Sequence, residues 1–233
     1  MLLGVWLLVV SPRVIRLVRE VITSTLWTRT IRSLPSQQQD GVSFRLHDCG
    51  KPSAFTVGVA SPMIVFDKNL WSRLTIEERR AVLHHEQAHV ERRDGLTLLV
   101  LRLCVALLPI PFSARLLDAW KRAAEKACDR HAAAKVGDTA TVAAALVSVE
   151  NSLGSSANPL RVTPALGIIS GAELEDRVVA LLSASSKDLE TSQLGNDVLA
   201  NFLVALGVAA LTLVWPGDTL HHAAETLLGL IIH

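Results

Sequence analysis

The stretch Thr75–Gly95, TIEERRAVLHHEQAHVERRDG, decides how the rest of the chain is read. Its first four residues, Thr-Ile-Glu-Glu, have the form of a capping box. The Thr75 oxygen can take the amide of Glu78, and the Glu78 carboxylate can reach back to the amide of Thr75. The spacing predicts a helix that starts at about Thr75 and carries through to Gly95. Within it, His85-Glu86-Gln87-Ala88-His89 sets two histidines four positions apart. Positions i and i+4 of a helix differ by only about 40° in azimuth, so both imidazoles face one way and can grip one metal ion. Glu86 falls on the adjacent flank, where it can accept a proton from an attacking water. Three fixed letters also recur by chance in unrelated chains, so the motif needs support from elsewhere.

That support lies at Glu125-Lys126-Ala127-Cys128-Asp129, inside a helical stretch expected over Ser113–Lys135 and closed near Gly137. Glu125 and Asp129 are again four apart and share one face. A catalytic zinc takes three protein ligands and keeps one position open, and two His with one Glu is a standard set. A ligand His usually donates its other ring N–H to a carboxylate or a carbonyl. Glu125 as third ligand and Asp129 as orienter of a histidine meet both needs. Taken alone, the two acids would be ordinary solvated charges beside Lys121, Arg122, Lys126 and Arg130. Paired with His85 and His89 they read as part of a Zn2+ site.

These residues carry a resemblance. An HExxH followed by ExxxD is similar to the gluzincin peptidases of the HtpX and CAAX-protease kind. LTIEERRAVLHHEQAHVERRDGL, then EKACDRHA, preceded by AFTVGVASPMIVF, resembles the BlaR/MecR-type antirepressor zinc metallopeptidases more closely. The likeness runs from about Pro52 to Ala133, with a weaker echo at Glu175–Leu182 (EDRVVALL). It implies a zinc endopeptidase domain facing the cytoplasm among transmembrane helices. His85, His89 and Glu125 would be the ligands, Glu86 the general base and Asp129 the residue behind a ligand histidine. Two departures stand out: such proteins carry several spans before this domain, and their signalling members end in a penicillin-binding sensor.

Composition agrees with a membrane setting. Half of the 233 residues are apolar, 19% are charged, and the mean hydropathy is +0.36, where soluble domains carry about a quarter charged residues. A net charge of +1, with no basic stripe and interleaved aromatics, gives no reason to expect direct nucleic acid binding. Cys49, Cys104 and Cys128 are scattered and form no C-x-x-C pair, which excludes a disulfide framework and a cysteine zinc site. The apolar run Met1–Val10 is too short to cross a bilayer, which takes about 20 residues. It reads either as an interfacial helix or as the stump of a span. Residues 11–34 hold five arginines against one glutamate, which by the positive-inside rule places the domain after them in the cytoplasm. Val198–Trp215 holds Asn201 as its only strongly polar residue and ends at Pro216-Gly217; it reads as a transmembrane helix or, at this length, as a buried core helix.

One stretch decides whether the metal site is possible. If the apolar run Leu96–Leu108 crossed the bilayer, Glu125 would emerge on the far side from His85. Pro109-Ile110-Pro111 instead divides Leu96–Glu125 into two arms of near-equal length, each about 20 Å at 1.5 Å per residue. A helical hairpin with an apolar outer wall therefore brings Glu125 back.

The reading as a whole is an α+β, mainly α, chain. It comprises a membrane-associated helix over 1–34, a gluzincin-like peptidase domain over 35–190, and a transmembrane helix with a short tail over 196–233. The domain is expected to hold a small β-sheet (Val42–Leu46, Ala54–Ala60, Met63–Phe66), with Ser33–Asp40 as a loop. Helices are expected at about Thr139–Leu153 and Ala172–Ser183, on either side of a loop at Gly154–Pro159. The strand Ala54–Ala60 is either an edge for an extended peptide or an ordinary core strand. His84 and His131 point away from the metal face, His131 as a surface residue, and Cys128 is a small packed residue. Three functions stay open: inactivation of a transcriptional repressor in signalling, quality-control proteolysis of membrane proteins, and a zinc-stabilised scaffold without activity. An intact Glu86 speaks against the scaffold, because a structural site needs no base.

Overall fold

The computed structural model describes residues 2–107, 113–154 and 171–184. A long helix α1 (Leu2–Arg32) leads into four strands, β1 (Ser36–Gln39), β2 (Val42–His47), β3 (Ala54–Val57) and β4 (Met63–Asp67). Among the described residues six helices come after the sheet: α2 (Lys68–Arg73), α3 (Ile76–Arg92), α4 (Asp94–Leu107), α5 (Ser113–Val136), α6 (Thr139–Gly154) and α7 (Gly171–Leu182). This is the expected mainly helical α+β fold with a small sheet.

The sheet runs β1-β2-β4-β3, with β2 and β4 parallel and the other two pairs antiparallel. Alternation along the strands sorts its side chains to two faces. Val42, Phe44, Ile64 and Phe66 pack with Leu70, Leu83, Ala132 and Val142 from the helices. Val65, Phe55 and Val57 pack on the other side with Ile31 at the end of α1. The sheet thus lies between the end of α1 and the helices that pack on its other face, while the rest of α1 runs against α4.

β1 corrects the expected loop. Ser-Gln-Gln-Gln has weak β-propensity, but Asp40-Gly41 behind it turns with φ of 50° and 78°. Positive φ at both central residues is the two-residue hairpin turn that Asp-Gly favours, and its twist matches that of the flanking strands. The turn makes this strand, not the residues in it.

α3 begins as its sequence predicts, with both halves of the Thr75–Glu78 capping box formed. It ends earlier. Arg93 adopts a left-handed conformation, φ 54° and ψ 39°, and Asp94 opens a new helix in a new direction. α4 and α5 then form the hairpin, closed on Leu98, Leu101, Trp120 and Ala124. Its expected Pro-Ile-Pro turn lies outside the described residues. Arg102, midway along α4, reaches Glu20 of α1 at 3.1 Å, so the charge on that arm is paired. Leu96, Val100, Leu103 and Leu107 line the outer wall of α4 and are 38–41% exposed. Among the described residues no helix is long and apolar enough to cross a membrane. The segment Val198–Trp215 lies outside them.

Candidate metal centre

Two helices supply the centre. α3 presents His85, Glu86 and His89, all buried, and α5 lies alongside with Glu125, Cys128 and Asp129. The i, i+4 spacing on each helix does what the azimuth requires, turning both pairs into the seam between them.

His85 Nε2 stands 3.2 Å from His89 Nε2. Glu125 closes the triangle, with Oε2 at 3.4 Å from His85 Nε2 and Oε1 at 3.6 Å from His89 Nε2. A tetrahedral zinc with bonds of about 2.0–2.1 Å sets neighbouring donor atoms about 3.3–3.4 Å apart. The three observed edges bracket that value. Donor type, number and spacing therefore fit a zinc ion that would be held through His85, His89 and Glu125.

Each histidine is held from behind. His85 Nδ1 lies 2.9 Å from Asp129 Oδ1, and His89 Nδ1 lies 2.7 Å from Asp94 Oδ2. The His89 ring is thereby fixed with Nε2 aimed at the shared point, as ligand histidines usually are, while His85 Nδ1 faces Asp129 at ion-pair distance without an aligned hydrogen bond. Each of these carboxylates in turn meets an arginine. Arg92 Nε is 3.3 Å from Asp94, and Arg177 forks onto Asp129 at 2.6 and 2.7 Å while its third nitrogen reaches Glu125 Oε2 at 3.1 Å.

Burial alone would lower the pKa of His85, but its bonds to Asp129 and Glu125 outweigh this and push it up to about 10. Burial would raise Glu125, and the neighbouring histidines and Arg177 hold it well below the usual carboxylate range instead. For Asp129 burial is again outweighed, here by Arg177 and then His85. Four carboxylates (Glu86, Asp94, Glu125, Asp129) against two guanidiniums leave the pocket rich in negative charge. Such a pocket draws protons onto His85 or takes a cation.

Glu86 accepts a hydrogen bond from the Thr56 hydroxyl at 3.0 Å, and its backbone carbonyl lies 3.3 Å from the same oxygen. β3 is an edge strand among the described residues, so Thr56 ties that edge to α3 beside the candidate base.

Asp94 and Arg177 escape a reading of the sequence. On an unbroken helix Asp94 would lie about 140° round from His89, on the wrong face; the left-handed Arg93 swings it back. Arg177 is 48 positions from Asp129, and its one sequence signal is the echo at Glu175–Leu182. Cys128 is fully buried, with Sγ 3.4 Å from His89 Nδ1, and burial pushes its thiol well up. It packs against the Asp94–His89 pair as a neutral group. His84, lowered by burial and by Arg80, and His131, lowered by burial, stand apart from the cluster. His131 is less a surface residue than expected, being half-buried beside Glu91 at 3.8 Å.

The chain is a member of the BlaR1 peptidase M56 family, whose profile matches residues 1–181. No curated protein and no solved structure matches it. The kinship expected from HEQAH and EKACD thus holds, and with it a peptidase identity.

Proposed function

We propose that the chain is a membrane-associated zinc endopeptidase that uses Glu86 as its general base. The observation that carries this reading is the triangle of His85, His89 and Glu125 donor atoms at 3.2–3.6 Å, with Glu86 next to it on the same helix. A zinc ion held by His85, His89 and Glu125 would supply Lewis-acid chemistry to a water and to the scissile carbonyl. Glu86 accepts the proton of the attacking water, and the same carboxyl group returns it to the leaving amine. Thr56 fixes the Glu86 carboxylate by its hydrogen bond to Oε2. Asp129 and Asp94 keep both imidazoles in the tautomer that offers Nε2. The chain has no Tyr, so any oxyanion donor is a different residue type.

The substrate is an extended peptide that adds to β3, the edge strand among the described residues, since main-chain pairing to a sheet edge is the general mode for extended chains. The edge and the base are joined through Thr56, which supports cleavage beside that strand. In a cell we place the domain on the cytoplasmic side of the membrane, acting on a transcriptional repressor. The arginine bias of residues 11–34 and the exposed apolar wall of α4 support the membrane part of this placement.

The test compares the full chain with its Glu86→Gln variant in metal content and in hydrolysis of an unfolded protein substrate. The variant should keep its metal and lose about 10²–10⁴-fold in rate, the usual span for a general base. Undiminished hydrolysis by Glu86→Gln would remove the proposed mechanism.

A further inference from the structure

The site is built from α3 and α5, yet the side chain that bridges Glu125 and Asp129 comes from neither. Arg177 sits in α7 and is 3% exposed. Its Nε and Nη2 take both oxygens of Asp129 at 2.7 and 2.6 Å, and its Nη1 takes Glu125 Oε2 at 3.1 Å. One guanidinium therefore touches a candidate ligand directly and the carboxylate behind another. His89 has a looser counterpart, Arg92, at 3.3 Å from Asp94 and in the same turn of chain.

We infer that Arg177 is a positioning residue for the metal centre, fixing the carboxylate plane of Glu125 and, through Asp129, the ring of His85. The inference rests on the metal-site reading above and extends it to a third helix. A rigid planar fork suits this task. It satisfies two carboxylates at fixed angles, whereas a lysine offers a single point charge on a flexible stem. Without the fork, Asp129 and Glu125 become two buried carboxylates with no guanidinium between them. They repel, turn apart and draw protons. The arrangement also makes a competent centre conditional on α7 being seated. A second ion pair on α7, Lys126–Asp176 at 2.6 Å, is half-exposed at its acidic end and touches no ligand.

Cobalt(II) is the probe, because its visible absorption reads coordination geometry whether or not the protein is active. The full-length chain should bind one cobalt, with the intense bands of a four-coordinate ion. Arg177→Gln should bind cobalt about 10–100-fold more weakly, the usual loss on removing a partner behind a ligand. Its bands should be shifted and weakened, with far-UV circular dichroism unchanged. Asp176→Asn, which removes the solvent-exposed pair with Lys126 and leaves α7 seated by Arg177, should keep the wild-type spectrum. Arg177→Lys covers the case in which Arg177→Gln does not fold: it keeps the charge, loses the fork, and should also show altered bands. A wild-type spectrum and affinity in either folded Arg177 variant would overturn the inference. Failure of the unaltered chain to take up cobalt would instead overturn the metal-site reading beneath it.

Discussion

His85 and Glu86 are chain neighbours given opposite surroundings. His85 is enclosed by Asp129 and Glu125, so in the metal-free chain it holds a proton until about pH 10. Its ordinary value is 6.5, so the sign of the linkage is fixed. The pairing contributes stability that is complete below about pH 6.5 and is lost as pH rises through about 10. A metal must displace that proton. Zinc uptake at pH 7–8 should therefore release a proton from His85, and apparent affinity should rise with pH across that range. Calorimetry in buffers of different ionisation enthalpy measures the release. Uptake with no proton released at pH 7 would contradict the account of His85. At this scale the sequence reveals the residues that share a helix face, His85 with His89 and Glu125 with Asp129, because azimuth is local. It hides Asp94 and Arg177, because a single left-handed residue brings one in and a distant helix brings the other.

At the scale of elements, α3 and the α4–α5 hairpin decide whether the centre exists. Thr75→Ala removes one half of the capping box and should cost about 1 kcal/mol, seen as a lower midpoint of thermal unfolding. Trp120 is 1% exposed and fills the seam between the hairpin arms. Trp120→Ala should cost about 3–5 kcal/mol and leave Glu125 poorly placed. Metal affinity should fall together with stability in that variant, whereas Thr75→Ala should lower stability alone. Equal affinity in both variants would show that the hairpin does not position Glu125. The capping box and the hairpin are legible because each is written in adjacent residues. β1 reads as a loop when composition is weighed above the Asp40-Gly41 turn, which sets strand pairing more strongly than Ser-Gln-Gln-Gln opposes it. The break at Arg93 has no signal, since an arginine adopts φ of 54° only where surrounding contacts hold it there.

For the whole molecule, two kinds of surface meet. The buried centre needs α3, α5 and α7 around one pocket, and the outer wall of α4 leaves Leu96, Val100, Leu103 and Leu107 uncovered. Contiguous exposed apolar side chains of this kind mark an interaction face. We expect the segment Val198–Trp215 to be the main membrane anchor. A chain ending at residue 195 should move largely to the soluble fraction, and unchanged membrane fractionation would assign the anchoring to α1 or α4. Domain limits and orientation in the membrane are read from composition and charge bias, which act over tens of residues and specify no contact. The central claim is that His85, His89 and Glu125 hold one zinc ion. Its most direct test is the zinc content of the purified full-length chain beside that of His89→Ala. The account predicts one zinc per chain in the first and less than about a tenth of that in the second, since two remaining ligands do not make a stable site. Full zinc occupancy in His89→Ala would contradict it.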